Sequence, residues 1–309
     1  MEIITDIFST RLNKRTALAI GKFDGLHIGH RKLLQEILNK KAQGVYTCVF
    51  TFDPSPAVFF GKADEKELMT RDEKRRMLEA LGVDILVEYP MTKESAAIEP
   101  ERFVREILSE GLQVKYLVAG TDVSFGAKGA GNAQLLETLS EELDYELHVI
   151  EKVTMEGREI SSSQVRSQVE LGKMEFVEQL LGMPYRITGQ VVHGRALGRK
   201  LGMPTLNLLP QKGKLLPPNG VYYSRVIYRD RVYCAISNIG HKPTVSEENI
   251  KGLETYLYDF GEEIYGEEVS VELLAYKRPE MRFESVEELK IQMQKDIMEG
   301  KEYHLGKRG

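Results

Sequence analysis

The sequence predicts two domains in series, an α/β domain on a mainly parallel sheet and then a small antiparallel β-barrel closed by a C-terminal helix. Three observations carry this. Up to about residue 182, short apolar runs alternate with amphipathic stretches of helical length. Near LLGMPYRITGQVV (180–192) the rhythm changes, and one strand-like run follows another. No helix-length pattern returns until SVEELKIQMQKDIMEG (285–300), which opens with a capping box, Ser285 to Glu288.

TALAI (16–20) is a continuous apolar run, as expected of a strand buried on both faces. In RKLLQEILNKKAQ, Leu33, Leu34, Ile37 and Leu38 share one helical face. VYTCVFTF (45–52) is rich in β-branched and aromatic residues, as strands are. TRDEKRRMLEAL opens with Thr70 and Glu73 at capping-box spacing. VDILVEY, the Pro100-initiated helix PERFVREIL, KYLVAG and a fifth strand, ELHVIEK, continue the alternation. Strands separated by helices imply right-handed crossovers, and ligands in such sheets sit at the strands' carboxyl ends where the strand order reverses. The second domain reads as YRITGQVV, VYYSRVIY, VYCAISNI, ETYLYDF and VSVELLAY with short turns between, and the boundary is expected between 182 and 183.

Bulk properties exclude several classes. The 309 residues are 42% hydrophobic and 29% charged, a globular composition with room for two cores. No apolar run approaches the ~18 residues that span a bilayer. The opening MEIITDIFSTRLNKR carries charges where a secretory signal needs an apolar segment. Two separated cysteines, Cys48 and Cys234, argue against a disulfide framework, so a cytoplasmic home and no membrane partner are expected. Net charge is −5, with 23 Lys+Arg against 30 Asp+Glu over 1–182 and 19 against 17 over 183–309. Neither half has the basic field of a nucleic-acid binder, so an anionic ligand would need a local cluster of donors.

Such a cluster follows the first strand in GKFDGLHIGH (21–30). Gly21, Gly25 and Gly29 allow close backbone approach, and the next helix offers its positive end. His27 and His30 can donate to phosphate oxygens, and preorganised donors are the main lever in attack on an α-phosphorus. The alternative is a glycine turn with one capping histidine. No Walker A loop occurs.

HIGH after a first strand is a signature of the nucleotidyltransferases that include class I aminoacyl-tRNA synthetases, and GKFDGLHIGH resembles the adenylyltransferase half of bacterial bifunctional riboflavin kinase/FAD synthetases. TFDPSPAVFF (51–60), LMTRDEKRRML (68–78), VAGTDVSFGAKGAGN (118–132) and ISSSQVRSQVELGKMEFVEQLLGMPY (160–185) match in the family's order. The resemblance implies a Rossmann-like nucleotidyltransferase domain with His27, His30 and Arg166 catalytic. It also implies nucleotide contacts at Gly21, Phe23, Asp24, Gly25, Gly29, Asp122, Ser161, Ser162 and Ser163. An arginine with neighbouring hydroxyls suits a pyrophosphate clamp. Three positions depart: Ser55 where a histidine is usual between two prolines, Val123–Ser124 where an aromatic and a basic residue are common, and Ser163 for a threonine.

GQVVHGRALGRKLGMPTLNLLP (189–210) sets Gly194, Gly198 and Gly202 among Arg195, Arg199 and Lys200. Alone it is either a phosphate loop or a charged hairpin. It resembles the flavokinase signature, and SNIGHKPTV (237–245) and GLETYLYDF (252–260) follow in order. The resemblance implies nucleotide or flavin contacts at Gly194, Gly198, Gly202, Pro204, Thr205, Asn207 and Asn238, with Mg²⁺ on the hard oxygens of Thr205 and Asn207. Glu254 shares a strand face with Tyr256 and Tyr258. Composition makes it an exposed carboxylate, whereas the resemblance makes it the general base for the riboflavin 5′-hydroxyl. His193 and His241 read as structural or peripheral.

The implied activity is phosphorylation of riboflavin by ATP to FMN in the barrel domain, then adenylylation of FMN to FAD and pyrophosphate in the first. The implied partners are riboflavin, FMN and ATP, with no nucleic acid. The alternatives are a riboflavin kinase with an inactive first domain and a non-catalytic flavin-binding protein. A tRNA-acting synthetase lacks a basic anticodon-binding domain here.

Overall fold

The computed structural model describes residues 1–62, 66–194, 197–243 and 249–306. Two compact units result: the chain up to Lys66 together with Arg71–Ser162, and Glu67–Thr70 together with the chain from Ser163 onward. This seam precedes the change of rhythm near 183. Two helices lie between, α6 (Ser162–Glu170) and α7 (Met174–Leu181), and α7 buries Met174, Val177, Leu180 and Leu181. Those apolar side chains pack against the barrel strands, which explains why contact and rhythm divide the chain differently.

The first unit is a six-stranded, all-parallel sheet of β1 (Glu2–Ile4), β2 (Thr16–Ile20), β3 (Tyr46–Asp53), β4 (Ile85–Pro90), β5 (Val114–Gly120) and β6 (Glu146–Ile150). The spatial order is β1-β4-β3-β2-β5-β6. Five of these strands match the expected runs; β1 is additional, a three-residue edge strand with two exposed residues. Strand β2 is buried at all five positions, so its apolar run has no polar alternation. The chain runs outward through β3 and β4, then crosses back to place β5 beside β2. That reversal puts the loops leaving β2 and β5 at the switch point where such sheets hold ligands.

The covering helices are α1 (Ile28–Asn39), α2 (Pro56–Phe59), α3 (Arg71–Ala80), α4 (Pro100–Arg102) and α5 (Ala133–Ser140). Helix α4 widens into a π-helix over Phe103–Gly111 that buries Phe103, Val104, Ile107 and Leu108. A two-residue hairpin, β7 (Thr154–Met155) and β8 (Arg158–Glu159), precedes α6.

The second unit is a closed antiparallel barrel, β10-β13-β12-β11-β14-β9. Its strands are β9 (Tyr185–Val192), β10 (Leu206–Pro210), β11 (Gly220–Tyr228), β12 (Arg231–Pro243), β13 (Asn249–Leu257) and β14 (Glu268–Arg278). Arg229 and Asp230 turn β11 into β12 with φ of 46° and 61°, the doubly left-handed geometry that fits strand twist. Buried hydroxyls inside the barrel satisfy one another: Ser237 bonds Ser224 and Thr255, each at 2.8 Å. A short helix, α8 (Leu197–Lys200), precedes β10.

Helix α9 (Val286–Gly306) closes the unit and starts as expected, Glu288 N donating to Ser285 Oγ at 3.2 Å. The Glu288 carboxylate accepts from Glu284 N, one residue before the expected partner. The helix is bound to the barrel through Lys277 and Arg278 on Asp296, and through Tyr258 Oη on the Ile297 carbonyl at 2.7 Å.

Candidate active sites

In the first unit, the loop leaving β2 is held by Gly21 N on the Phe50 carbonyl at 3.0 Å and Thr51 Oγ1 on the Lys22 carbonyl at 2.8 Å. Phe23 and Leu26 are fully buried yet adopt φ of 49° and 47°, with Gly25 between them at 84°. Left-handed non-glycine residues cost of order 1–3 kcal/mol each and persist where packing over-determines them, often in ligand loops. Phe23 is therefore a backing residue: its ring lies 5.1 Å from that of His30.

His27 is the N-cap of α1, its Nδ1 accepting from His30 N at 3.4 Å. The capping reading thus holds for this side chain, and the cap occupies only one of its two ring nitrogens. A neutral imidazole that accepts at Nδ1 carries its proton on Nε2, which remains a donor. The two rings stack at 3.7 Å, and a Cβ on Gly29 would sit 3.1 Å from the His27 ring, so only glycine leaves the stack undisturbed. His30 Nδ1 is buried without a partner among the described residues. Burial pushes His27 down to about 4, against a smaller upward pull from the Asp122 carboxylate. Burial also holds His30 well below the usual histidine range, with His27 and Lys74 adding to the effect.

Asp122 lies in the loop after β5 and pairs with Lys152 at 3.4 Å, and Lys152 also pairs with Glu159 of β8 at 2.8 Å. Asp24 accepts Ser162 Oγ on its carbonyl at 2.9 Å, joining the serine triple to the first loop. Ser161 is exposed, and Ser163 and the half-buried Arg166 belong to the second unit.

One feature of this unit escaped the sequence. A cavity of 160 Å³ is walled by Phe52, Phe60, Tyr89, Phe103 and Phe125, with Ser124 and Lys128 beside them. Phe103 stacks on Phe125 at 5.2 Å and meets Tyr89 edge-on at 5.7 Å. The aromatics come from separate elements, so no local motif announces them. The departures have local roles: Ser55 caps α2, Ser124 Oγ donates to the Gly129 carbonyl at 3.0 Å, and Val123 packs on the core.

In the second unit, Asn207, Glu254 and Asn238 form one rung across β10, β13 and β12. Glu254 and Tyr256 face a 240 Å³ cavity with Thr205, Asn238 and Arg278, over which Met293 of α9 lies. A second 240 Å³ cavity is lined by Arg199, Pro204, Thr205, Phe260 and Tyr265. His193 stacks on Tyr265, one of the lining residues, at 3.8 Å. Arg199 pairs with Glu263 at 2.6 Å, while Arg195 and the side chain of Lys200 lie outside the described residues. Asn207 is buried, and a Cβ on Gly194 would collide with its side-chain amide. Gly198 packs similarly against Thr205, and Gly202, at φ 79°, turns the chain toward Pro204.

Comparisons with known proteins match this division. A family model for FAD synthetase matches residues 9–164, and one for riboflavin kinase matches residues 181–304. The bifunctional riboflavin kinase/FMN adenylyltransferase of Listeria monocytogenes is 34% identical over 290 residues, 93% of this chain and 91% of that protein. The chain belongs to the bifunctional riboflavin kinase/FMN adenylyltransferase family. The Bacillus subtilis member is 34% identical over 298 residues, 94% of this chain and 92% of its own. A crystal structure of a macrolide-efflux protein from Streptococcus pneumoniae has the same fold, with TM-score 0.84, 27% identity, and 96% of this chain and 97% of that one covered. No helix among the described residues is long and apolar enough to cross a membrane. As a riboflavin kinase/FMN adenylyltransferase, the protein makes FMN from riboflavin and FAD from FMN, using ATP.

The buried histidines of this flavin enzyme carry a pH consequence. In the unfolded chain a histidine titrates near about 6.5, whereas folded His27 titrates near about 4. The unfolded state therefore binds more protons in that window. The stability contribution is complete above the upper value and is lost as pH falls through the lower one. The loss at His27 amounts to about 3 kcal/mol, and His30 acts in the same direction. Urea unfolding at about pH 7 and about pH 5 is expected to show a steeper loss for the wild type than for His27→Asn, which keeps a capping acceptor. Equal slopes would show that His27 is not buried neutral.

Proposed function

We propose that the barrel unit phosphorylates riboflavin at the Glu254 cavity using ATP from the neighbouring one, and that the first unit adenylylates FMN at the GKFDGLHIGH loop. The observation that carries the kinase half is Thr205, which borders both barrel cavities. A nucleotide among Arg199, Pro204 and Tyr265 and a flavin beside Tyr256 would then meet at Thr205, with Glu254 on the flavin side. Asn238, Gly198 and Gly202 complete the surroundings. Glu254 takes the proton of the 5′-hydroxyl, and Asn207 and Asn238, on the same rung, fix its backbone.

Mg²⁺ fits the donor set. Thr205 and Asn207 offer neutral hydroxyl and amide oxygens, the hard ligands this ion accepts alongside phosphate, and the glycine loop is pressed against both side chains. When bound, the ion would offset charge on the transferred phosphoryl group. Gly194→Ala tests this half. Its Cβ displaces Asn207, so kinase kcat/KM is expected to fall about tenfold or more, chiefly through KM for ATP. Adenylylation of supplied FMN should be untouched. Loss of both activities in a folded protein would break the two-site assignment.

For the adenylyltransferase half, the aromatic cavity takes the flavin ring. The neutral imidazoles of His27 and His30 donate to the α-phosphate as charge builds there. Gly21, Gly25 and Gly29 bring backbone N–H groups close, with Asp24 inside the loop and Asp122 in the loop after β5. Ser161, Ser162, Ser163 and Arg166 hold the leaving pyrophosphate. On this reading the functional boundary is 182/183. The enzyme is cytoplasmic and its partners are small molecules, not nucleic acid.

A further inference from the structure

The first unit has a discrimination to make. Riboflavin and FMN share ring and ribityl chain, both are handled by this one protein, and only FMN carries the phosphate that attacks ATP. Riboflavin seated in the adenylyltransferase cavity would be an unproductive competitor. The aromatic walls cannot tell the two apart, because they see the same ring.

The cavity has one feature that can. Among its described lining residues, Lys128 carries the one charge. Its side chain is exposed, and no carboxylate among the described residues pairs with it. Its backbone is left-handed, φ 54° and ψ 15°, inside the turn Ala127–Gly129. A lysine there forgoes the freedom a glycine would have, and the surrounding turn enforces the conformation. Phe125 and Gly131 exchange backbone bonds at 3.2 and 2.9 Å, and Ala127 N donates to the Ile98 carbonyl at 2.7 Å. Ser124, standing where a basic residue is common, is occupied with the Gly129 carbonyl and supplies no charge.

We propose that Lys128 is the specificity-determining residue that makes the adenylyltransferase select FMN over riboflavin, by pairing its ammonium with the flavin 5′-phosphate at the mouth of the aromatic cavity. This rests on the reading that the cavity seats the flavin ring. A charge-assisted contact to a dianion adds affinity for FMN and none for the neutral flavin.

The test measures KM for FMN in adenylylation, and Ki for 5′-deoxyriboflavin, a neutral flavin that the kinase cannot phosphorylate. Lys128→Asn removes the charge with a residue that tolerates left-handed backbone. It is expected to raise KM for FMN about tenfold and leave Ki unchanged, with Lys128→Arg restoring KM. Phe60→Ala, at a cavity residue that is 54% exposed and so removable without opening the core, should raise both constants. If Phe60→Ala raises both and Lys128→Asn moves neither, or moves both alike, the selectivity role is overturned and the flavin cavity stands. If Phe60→Ala moves neither, the cavity reading fails and the proposal with it.

Discussion

Glu254→Gln is expected to lower riboflavin phosphorylation by about 10²–10⁴-fold and to leave adenylylation of supplied FMN at the wild-type rate. Glutamine keeps the size and hydrogen-bonding reach of the side chain but cannot take a proton, so the loss should fall on kcat with little change in KM for riboflavin. Folding is protected by position. Strand β13 is paired on both sides, by β10 and β12, and Glu254 points from it into a cavity and not into the core. The adenylyltransferase activity reports on the integrity of the same molecules. Measuring FMN formed from riboflavin and FAD formed from FMN in parallel decides the matter. Retained phosphorylation would remove Glu254 from the base role.

The reverse separation is expected for His30→Ala, with FAD formation from FMN down by about 10²–10³-fold and riboflavin phosphorylation intact. The imidazole is neutral at physiological pH because it is buried beside His27 and Lys74, so in the proposed role it would donate a hydrogen bond and not carry a charge. Its Nδ1 has no partner among the described residues, an expensive state for a buried nitrogen unless the site uses it. The substitution also removes a ring stacked at 3.7 Å on His27, so some destabilisation of the loop is expected alongside. The kinase activity and the unfolding midpoint distinguish a folded, inactive first unit from an unfolded one. A folded variant that still made FAD would return His30 to a packing role.

Much of the fold was legible because its signals are local. A strand buried on both faces in a parallel sheet is nearly all apolar, so the run Ala17–Ile20 of β2 stands out from the sequence. The barrel strand Tyr185–Val192 was equally plain, and Ser285 and Glu288 marked the start of α9 before any packing was known. Strand β1 was hidden because three edge residues, two of them exposed, carry no periodicity. Strand β10 was hidden because Leu206–Pro210 follows a glycine-rich loop and reads as its continuation. That strand is what sets Asn207 beside Glu254. The segment Glu67–Thr70 could not be assigned either: its bonds, such as Lys214 Nζ to the Leu68 carbonyl at 2.8 Å, join residues far apart in the chain.

By itself the sequence determined the two fold classes, the candidate ligand loop after β2, the glycine-rich loop before Thr205 and the candidates His27, His30 and Glu254. Each depends on side-chain chemistry at short spacing, which the chain carries wherever it folds. Only the tertiary structure decided that His27 caps a helix while keeping a donor, that the Phe23 ring backs His30, that Thr205 borders two cavities, and that aromatic residues from several elements meet around Lys128. Those facts depend on which strand lies beside which and how deeply each group is buried. Both are set by long-range pairing and desolvation, quantities that no local pattern of residues contains.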